Sequence, residues 1–191
     1  MERLSTSDYF REALEILATV GSDGLTIASL GERLNVTKGS FYHHFGGMPS
    51  FAEALLAYWE AEHSDRLIAA ARAERDPDRR VDVVVDIAVD LPHESEAAIR
   101  AWGRSLPEVA EVVARVDKRR ERLLVDAVAA IGVDRPRARL LARIALNLLI
   151  GAQQRENPVD RRRLEQVFDE YRKLVYFEVL AARVPRRRVR G

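Results

Sequence analysis

The stretch TIASLGERLNVTKGSFYHHF, residues 26–45, decides the fold, because it predicts two short helices joined by a tight turn. Thr26 and Thr37 are each placed to cap a helix, since a hydroxyl accepts hydrogen bonds from the free N–H groups of a first helical turn. Asn35 falls where the first helix must stop, and asparagine tolerates the left-handed backbone found at helix ends. The pattern is that of a helix-turn-helix.

Apolar residues give both helices an inward face, and the remaining residues of the second helix point outward near its N-terminal end. A recognition helix presents this end to base edges. Residues 33–52 contain no Asp or Glu, and such an acid-free surface suits a phosphate backbone. The inward residues are Ile27, Leu30, Leu34, Phe41 and Phe45, with Val36 in the turn and Gly31 at the close approach of the helices. The candidate DNA contacts are Thr26, Thr37, Lys38, Gly39, Ser40, Tyr42, His43 and His44.

Residues 30–45, LGERLNVTKGSFYHHF, closely resemble the recognition unit of the tetracycline-repressor (TetR) family, which reads roughly IAxxAGVSxG(S/T)(L/F)Yx(H/Y)F. The resemblance is specific over about residues 8 to 57, and beyond them only the all-helical pattern and the length fit. Two departures stand out. Asn35 replaces the usual turn glycine, and Met48 stands where the family usually has a lysine that grips a phosphate.

The roles of individual contacts follow from the chemistry of their side chains together with this resemblance. We assign Tyr42 to a DNA phosphate, with packing against a neighbouring helix as the alternative. Lys38 can bond guanine O6 and N7 in the major groove, and the N–H of Thr26 can hold a phosphate. Gly39 marks either a close approach to DNA or a simple helix start. His44 either bonds a phosphate or packs beneath Phe45.

Composition excludes several other classes of protein. Cysteine is absent, so disulfides, thiol nucleophiles and cysteine-ligated metal sites are ruled out. The N-terminus lacks the apolar core of a signal peptide. The longest apolar stretch, residues 140–152, is too short to span a bilayer and contains Arg143 and Asn147. We therefore expect a cytoplasmic protein with no membrane partner, no metal and no cofactor.

Hydrophobic periodicity predicts an all-α protein of about nine helices. We expect residues 1–47 to form a three-helix DNA-binding domain, in which a helix up to about residue 20 covers the helix-turn-helix. We expect residues 48–191 to form a helical regulatory and dimerisation domain, with the helix 48–73 linking the two. The later helices are expected at about residues 78–91, 94–104, 107–131, 136–155 and 160–183.

The two last helices predict a homodimer. The helix at 136–155 is apolar almost all round, so it must be covered on both sides, and the helix after it carries a long apolar stripe. We therefore expect the two helices to meet their copies across a two-fold axis, as the resemblance also implies. The expected interface residues are Leu141, Ile144, Leu146, Leu148, Leu149, Phe168, Tyr171 and Val175.

The resemblance implies a ligand-responsive regulator, which we expect to be a repressor that binds a palindromic operator and is released by a small-molecule effector. Polar or aromatic residues that interrupt apolar faces are candidates for the effector pocket, although each could be an ordinary core or interface residue. These are Tyr58, Trp59, His63, His93, Trp102, Asn147 and Gln154. An enzyme finds little support, because no phosphate-cradling loop and no His-Glu-x-x-His motif occurs. A non-specific architectural DNA binder or a helical interaction module remains as an alternative.

Five of the last nine residues are arginines, so positive charge is concentrated in the C-terminal tail, although the net charge of the whole chain is only +1. The tail is either a solvated terminus or an additional contact to DNA phosphates.

Overall fold

A computed structural model of the chain describes residues 4–183, and every regular element in that range is helical, which confirms the all-α class. The arginine-rich tail and the side chain of Arg183 lie outside the described residues. The helices are α1 (Thr6–Thr19), α2 (Ile27–Leu34), α3 (Lys38–Phe45), α4 (Met48–Glu60), α5 (Arg66–Ala73), α6 (Pro77–Asp90), α7 (His93–Gly103), α8 (Pro107–Ala130), α9 (Arg135–Arg155) and α10 (Arg161–Arg183).

The predicted linking helix at 48–73 is present but is not uniform. A π-helical segment, Ala61–Asp65, joins α4 to α5. Wider turns of this kind interrupt α-helices without a strong sequence signal, so periodicity predicts one continuous helix. Within residues 4–183, no helix is both long and apolar enough to cross a membrane.

The chain divides into two compact units, and each is built from two separate segments. Unit 1 contains the described residues up to Arg66 together with Pro92–Val116, and unit 2 contains Leu67–Leu91 together with the described residues from Asp117 onward. The helix α8 contributes to both units. These units are defined by packing and not by function, so the functional division expected between residues 47 and 48 stays a prediction.

The core of unit 1 is rich in aromatic rings. α1 packs against α2, α4 and α7, so the helix-turn-helix and the segment 92–116 share one apolar core. Phe51 and Trp59 of α4 are fully buried in it. The other principal members are Tyr9, Phe10, Leu14, Leu17, Leu30, Phe41, Phe45, Leu55, Ile99, Trp102 and Val109.

Unit 2 encloses much of the surface expected at the dimer interface, which itself stays a prediction. Five of its eight residues are buried inside the protomer's own core, namely Leu141, Leu149, Phe168, Tyr171 and Val175. The apolar side chains that α9 and α10 leave exposed are Leu140, Ile144, Val167, Phe177 and Leu180. Of the expected set, Ile144 is exposed, and Leu146 and Leu148 are half-buried. The sequence predicted that α9 has little polar face, but periodicity could not tell which side faces its own chain.

Candidate nucleic-acid interface

The turn between α2 and α3 is fixed by local hydrogen bonds. Thr26 caps α2, since its Oγ1 accepts from the Ser29 N–H at 3.1 Å, and the Thr26 N–H donates in return to Ser29 Oγ at 3.0 Å. The backbone N–H expected to hold a phosphate is therefore engaged within the cap. Asn35 ends α2 in the left-handed region, with φ 52° and ψ 48°, as its position predicted.

Gly31 is required by the close approach that follows this cap. The Val36 N–H donates to the Gly31 carbonyl at 2.9 Å, and a Cβ on Gly31 would lie 3.0 Å from the Val36 carbonyl oxygen. A side chain at this position would push the turn apart. The geometry of the turn thus sets the direction in which α3 leaves α2.

Aromatic packing holds α3 in place. Phe41 and Phe45 are buried, and the Phe45 ring lies 4.8 Å from the Phe51 ring and 5.3 Å from the Tyr9 ring, both edge-on. Edge-to-face pairs add to the energy of burial and favour one ring arrangement. Thr37 caps the N-terminus of α3, accepting from the Ser40 N–H at 3.3 Å. The inner face of α3 is therefore anchored to α1 and α4.

The outer face of α3 carries most of the predicted contacts. Thr37, Lys38, Gly39 and His43 are exposed, as is Thr26 at the start of α2. A Cβ on Gly39 would meet only Thr37 Oγ1, at 3.6 Å. The fold of the protomer therefore leaves room for a larger residue at position 39.

Tyr42 is also exposed, at 53%. Its ring packs edge-on against Phe41, with 5.9 Å between centroids, and the described residues include no hydrogen-bond partner for its hydroxyl. The phenol therefore projects from α3 with its polar end in solvent.

Ser40 and His44 differ from the others because both pack against α1. Ser40 Oγ forms a hydrogen bond of 2.9 Å with Tyr9 Oη across 31 residues of sequence. The His44 ring lies 5.4 Å from the Tyr9 ring and 5.8 Å from the Phe45 ring. Sequence reasoning missed the role of Tyr9, since nothing local indicates which hydroxyl a buried tyrosine will reach.

The electrostatics of this surface depend on Lys38. Arg33 forms an ion pair with Glu12 at 2.9 Å, so its charge is partly compensated. Lys38 is exposed and has no ion pair among the described residues. Met48 is half-buried against the core of unit 1 and provides no cation. The charge available for phosphate or base contacts is therefore concentrated at the N-terminus of α3.

A second feature of unit 1 is a groove of about 810 Å³ bounded by α4, the end of α7 and the start of α8. Apolar side chains form most of its walls, and Arg115 bonds Glu60 through Nε and Nη2 at 2.9 and 2.8 Å. The hydrogen bond to Glu60 raises the pKa of Arg115. The lining residues are Met48, Pro49, Ala52, Glu53, Leu56, Ala57, Glu60, Trp102, Leu106, Glu108, Val109, Val112 and Arg115.

Of the seven residues expected to line an effector pocket, Trp102 alone is among those that line this groove. Tyr58 packs on Phe10 with 5.1 Å between ring centroids. The others are distributed elsewhere: Trp59 and His93 are buried in unit 1, His63 lies in the π-helical segment, and Asn147 and Gln154 are exposed on α9. The four-residue spacing of Met48, Ala52 and Leu56 indicates an apolar helix face. The same spacing is typical of a face buried in the core, so it does not predict a groove. The described residues contain no cluster of three or more His, Asp or Glu that could hold a metal ion.

Known proteins resemble this chain in its N-terminal region. The family model "Bacterial regulatory proteins, tetR family" matches residues 10–55. The class A tetracycline repressor protein of transposon 1721 from Escherichia coli is 41% identical over 61 residues, which are 30% of this chain. The match spans 28% of the length of that curated relative.

Solved structures extend the likeness to the whole fold. A transcriptional regulator from Rhodococcus sp. Rha1 superposes with a TM-score of 0.71 at 20% identity, over 95% of this chain and 100% of its own. A TetR transcriptional regulator from Legionella pneumophila gives 0.69 at 15% identity, over 92% and 98%. A TetR transcription regulator from Haloarcula marismortui gives 0.69 at 17% identity, over 92% and 96%.

Proposed function

We propose that this chain, a TetR-family transcriptional regulator by its N-terminal domain and its fold, binds a palindromic operator as a homodimer and represses transcription until a small-molecule effector releases it. One observation carries the proposal. The exposed N-terminal half of α3 is free of acidic residues, while rings from α1 and α4 fix its buried side. The activity needs no chemical step, and the protein acts in the cytoplasm, where the DNA is.

The exposed side chains of α3 are suited to both kinds of DNA contact, those to phosphates and those to base edges. Tyr42 extends into solvent and donates a neutral hydrogen bond to a phosphate, which sets the position of α3 on the duplex. Lys38 lies at the first position of α3 and reaches base edges or a neighbouring phosphate. Ser40 contributes indirectly, because its hydroxyl is bonded to Tyr9. Specificity then rests on a rigid helix rather than on a mobile loop.

The exposed apolar side chains of α9 and α10 supply the dimer interface. Leu140 and Ile144 lie four residues apart on α9, and Phe177 and Leu180 lie three apart on α10, so each pair shares one helix face. Phe177 and Leu180 are 66% and 61% exposed. Exposed apolar side chains grouped on one helix face are typical of an interface, and recognition helices paired across a two-fold axis read half-sites about 34–36 Å apart, one turn of DNA.

The effector acts by differential binding. A ligand that favours a conformation whose two α3 helices are wrongly spaced for DNA shifts the population toward that conformation and lowers operator affinity. No covalent change is required. Residues of α4 between Met48 and Glu60 form one wall of the groove in unit 1, and α4 begins shortly after α3 ends. A ligand in the groove would therefore act on α3 through α4.

The decisive experiment is selection of bound sequences from a random DNA pool at two salt concentrations. Enrichment of a palindrome with half-sites about one helical turn apart supports the dimeric regulator. Salt-sensitive binding without an enriched sequence would replace it with the architectural alternative. Absence of binding at both salt concentrations by purified, helical protein would contradict the proposal.

A further inference from the structure

We propose that the groove bounded by α4, the end of α7 and the start of α8 binds an organic cation with an apolar body, and that this cation is the effector of the regulator. The binding site is inferred from the geometry and charge of unit 1. Only the effector role rests on the proposed function.

The shape of the groove suits an apolar body of moderate size. Its volume, about 810 Å³, lies in the range of small-molecule sites, which run from about 300 to 1,000 Å³. Met48 and Glu60 stand at the two ends of the α4 wall, and the rise of an α-helix over these twelve residues is about 18 Å. Leu106 is 41% exposed at the groove, so an occupant would remove apolar surface from water.

The charge of the groove selects the sign of the ligand. Three carboxylates and one guanidinium line it, which leaves a formal charge of −2. Arg115 is held by Glu60 through two hydrogen bonds. Glu53 and Glu108 are exposed and have no ion pair among the described residues. A concave, apolar wall concentrates the field of these two carboxylates, so a cation is attracted and an anion is repelled.

The uncompensated charges lie away from the ion pair of the groove. Glu53 is seven residues before Glu60 on α4, and Glu108 is seven residues before Arg115 on α8. The cationic group therefore belongs on the side away from the Arg115–Glu60 pair, toward Met48. Trp102 lines the groove and offers the ring type that attracts cations most strongly, while the thioether of Met48 adapts to an irregular apolar surface. A lysine at position 48 would neutralise this end.

This end of the groove adjoins the recognition helix. Met48 follows α3 after only Gly46 and Gly47, and Phe51, one turn further along α4, packs against Phe45 of α3. A ligand that displaces the first turn of α4 must also disturb this ring contact. Occupancy of the groove is thereby coupled to the position of α3, within one unit and through one shared core.

Titration calorimetry with tetraphenylphosphonium and with tetraphenylborate tests the site directly, because the two ions have nearly the same shape and opposite charge. We expect the full-length protein to bind the cation and not the anion. Glu53→Gln and Glu108→Gln should each weaken cation binding about three- to tenfold, as expected for partly exposed charges at close range. Met48→Lys should weaken it further. Glu15→Gln is the control, since Glu15 is an exposed glutamate of α1 that lies outside the groove and has no ion pair among the described residues, and it should leave the affinity unchanged.

Several outcomes would overturn the site. They are equal binding of both ions, no binding of the cation, or equal losses in Glu15→Gln and Glu108→Gln. The link to regulation is measured separately, by adding tetraphenylphosphonium to the protein bound to its selected DNA. Release of DNA supports the effector role, and binding of the cation without release refutes that role but leaves the site. A protein that binds the cation and no DNA would refute the proposed function alone.

Discussion

Replacing Tyr42 with phenylalanine isolates one hydroxyl from the rest of the recognition helix. Tyr42 is 53% exposed, its ring rests on Phe41, and the substitution leaves that contact in place. Because the hydroxyl has no partner among the described residues, the free energy of unfolding should change by less than about 0.5 kcal/mol. Operator binding should weaken, since each half-site loses a hydrogen bond to a phosphate.

The size of the loss follows from the symmetry of the complex. A hydrogen bond that replaces one to water contributes about 1 kcal/mol, so two half-sites lose about 2 kcal/mol, or roughly 30-fold in operator affinity. The slope of affinity against salt should stay the same, because no charge is removed. The matched control is Lys38→Gln, which should lower that slope by about two if each Lys38 contacts a phosphate.

Fluorescence anisotropy with labelled operator over a salt series measures both quantities, and thermal unfolding followed by circular dichroism measures the stability. An affinity within twofold of the parent would remove Tyr42 from the interface. A loss of affinity accompanied by a clear loss of stability would also refute the reasoning, because it would show that the hydroxyl serves the fold.

Three further changes test other parts of the structure. Ile144→Glu should give folded monomers, because this residue is 38% exposed on α9; sedimentation that still shows a dimer would refute the revised interface. Asn35→Ala should lower the free energy of unfolding by about 1 kcal/mol in a denaturant titration, because alanine is strained at φ 52°, and an unchanged midpoint would contradict this. The pKa of Asp8 is lowered chiefly by a hydrogen bond from the Ser5 hydroxyl. Its stabilising effect is therefore full above the unfolded-state pKa of about 3.9 and is lost as pH falls through the folded value. Asp8→Asn should flatten stability against pH in that acid range, and an identical acid profile would exclude the effect.

Local signals made the helix-turn-helix predictable. The caps Thr26 and Thr37 and the left-handed Asn35 act within a few residues, so their chemistry can be read along the chain. The spacing of Phe41 and Phe45 likewise fixes the inner face of α3. The exposure of Tyr42 follows from that assignment, since it lies on the opposite side of the helix.

Contacts between distant segments could not be predicted from the sequence. The bond from Tyr9 to Ser40 joins residues 31 apart, and the pair of Arg115 with Glu60 joins residues 55 apart, so no periodicity links them. The residues that α9 and α10 leave exposed could not be identified from the sequence for another reason. Leu141 and Ile144 are equally apolar, yet one is buried in its own protomer and the other is exposed. Hydrophobicity alone does not distinguish a chain's own core from a partner's.

The construction of unit 1 from two separated segments limits how the protein can be divided. Ile99 and Val109, contributed by the segment 92–116, lie in the same apolar core as the helix-turn-helix. A fragment that stops at Arg66 would leave the α7-facing side of α1 bare to water, and such a truncated head should aggregate when expressed alone. Grafting this head onto another regulator therefore requires residues 92–116 to travel with it. Unit 1 is therefore continuous in space, although its two segments are separated in the sequence.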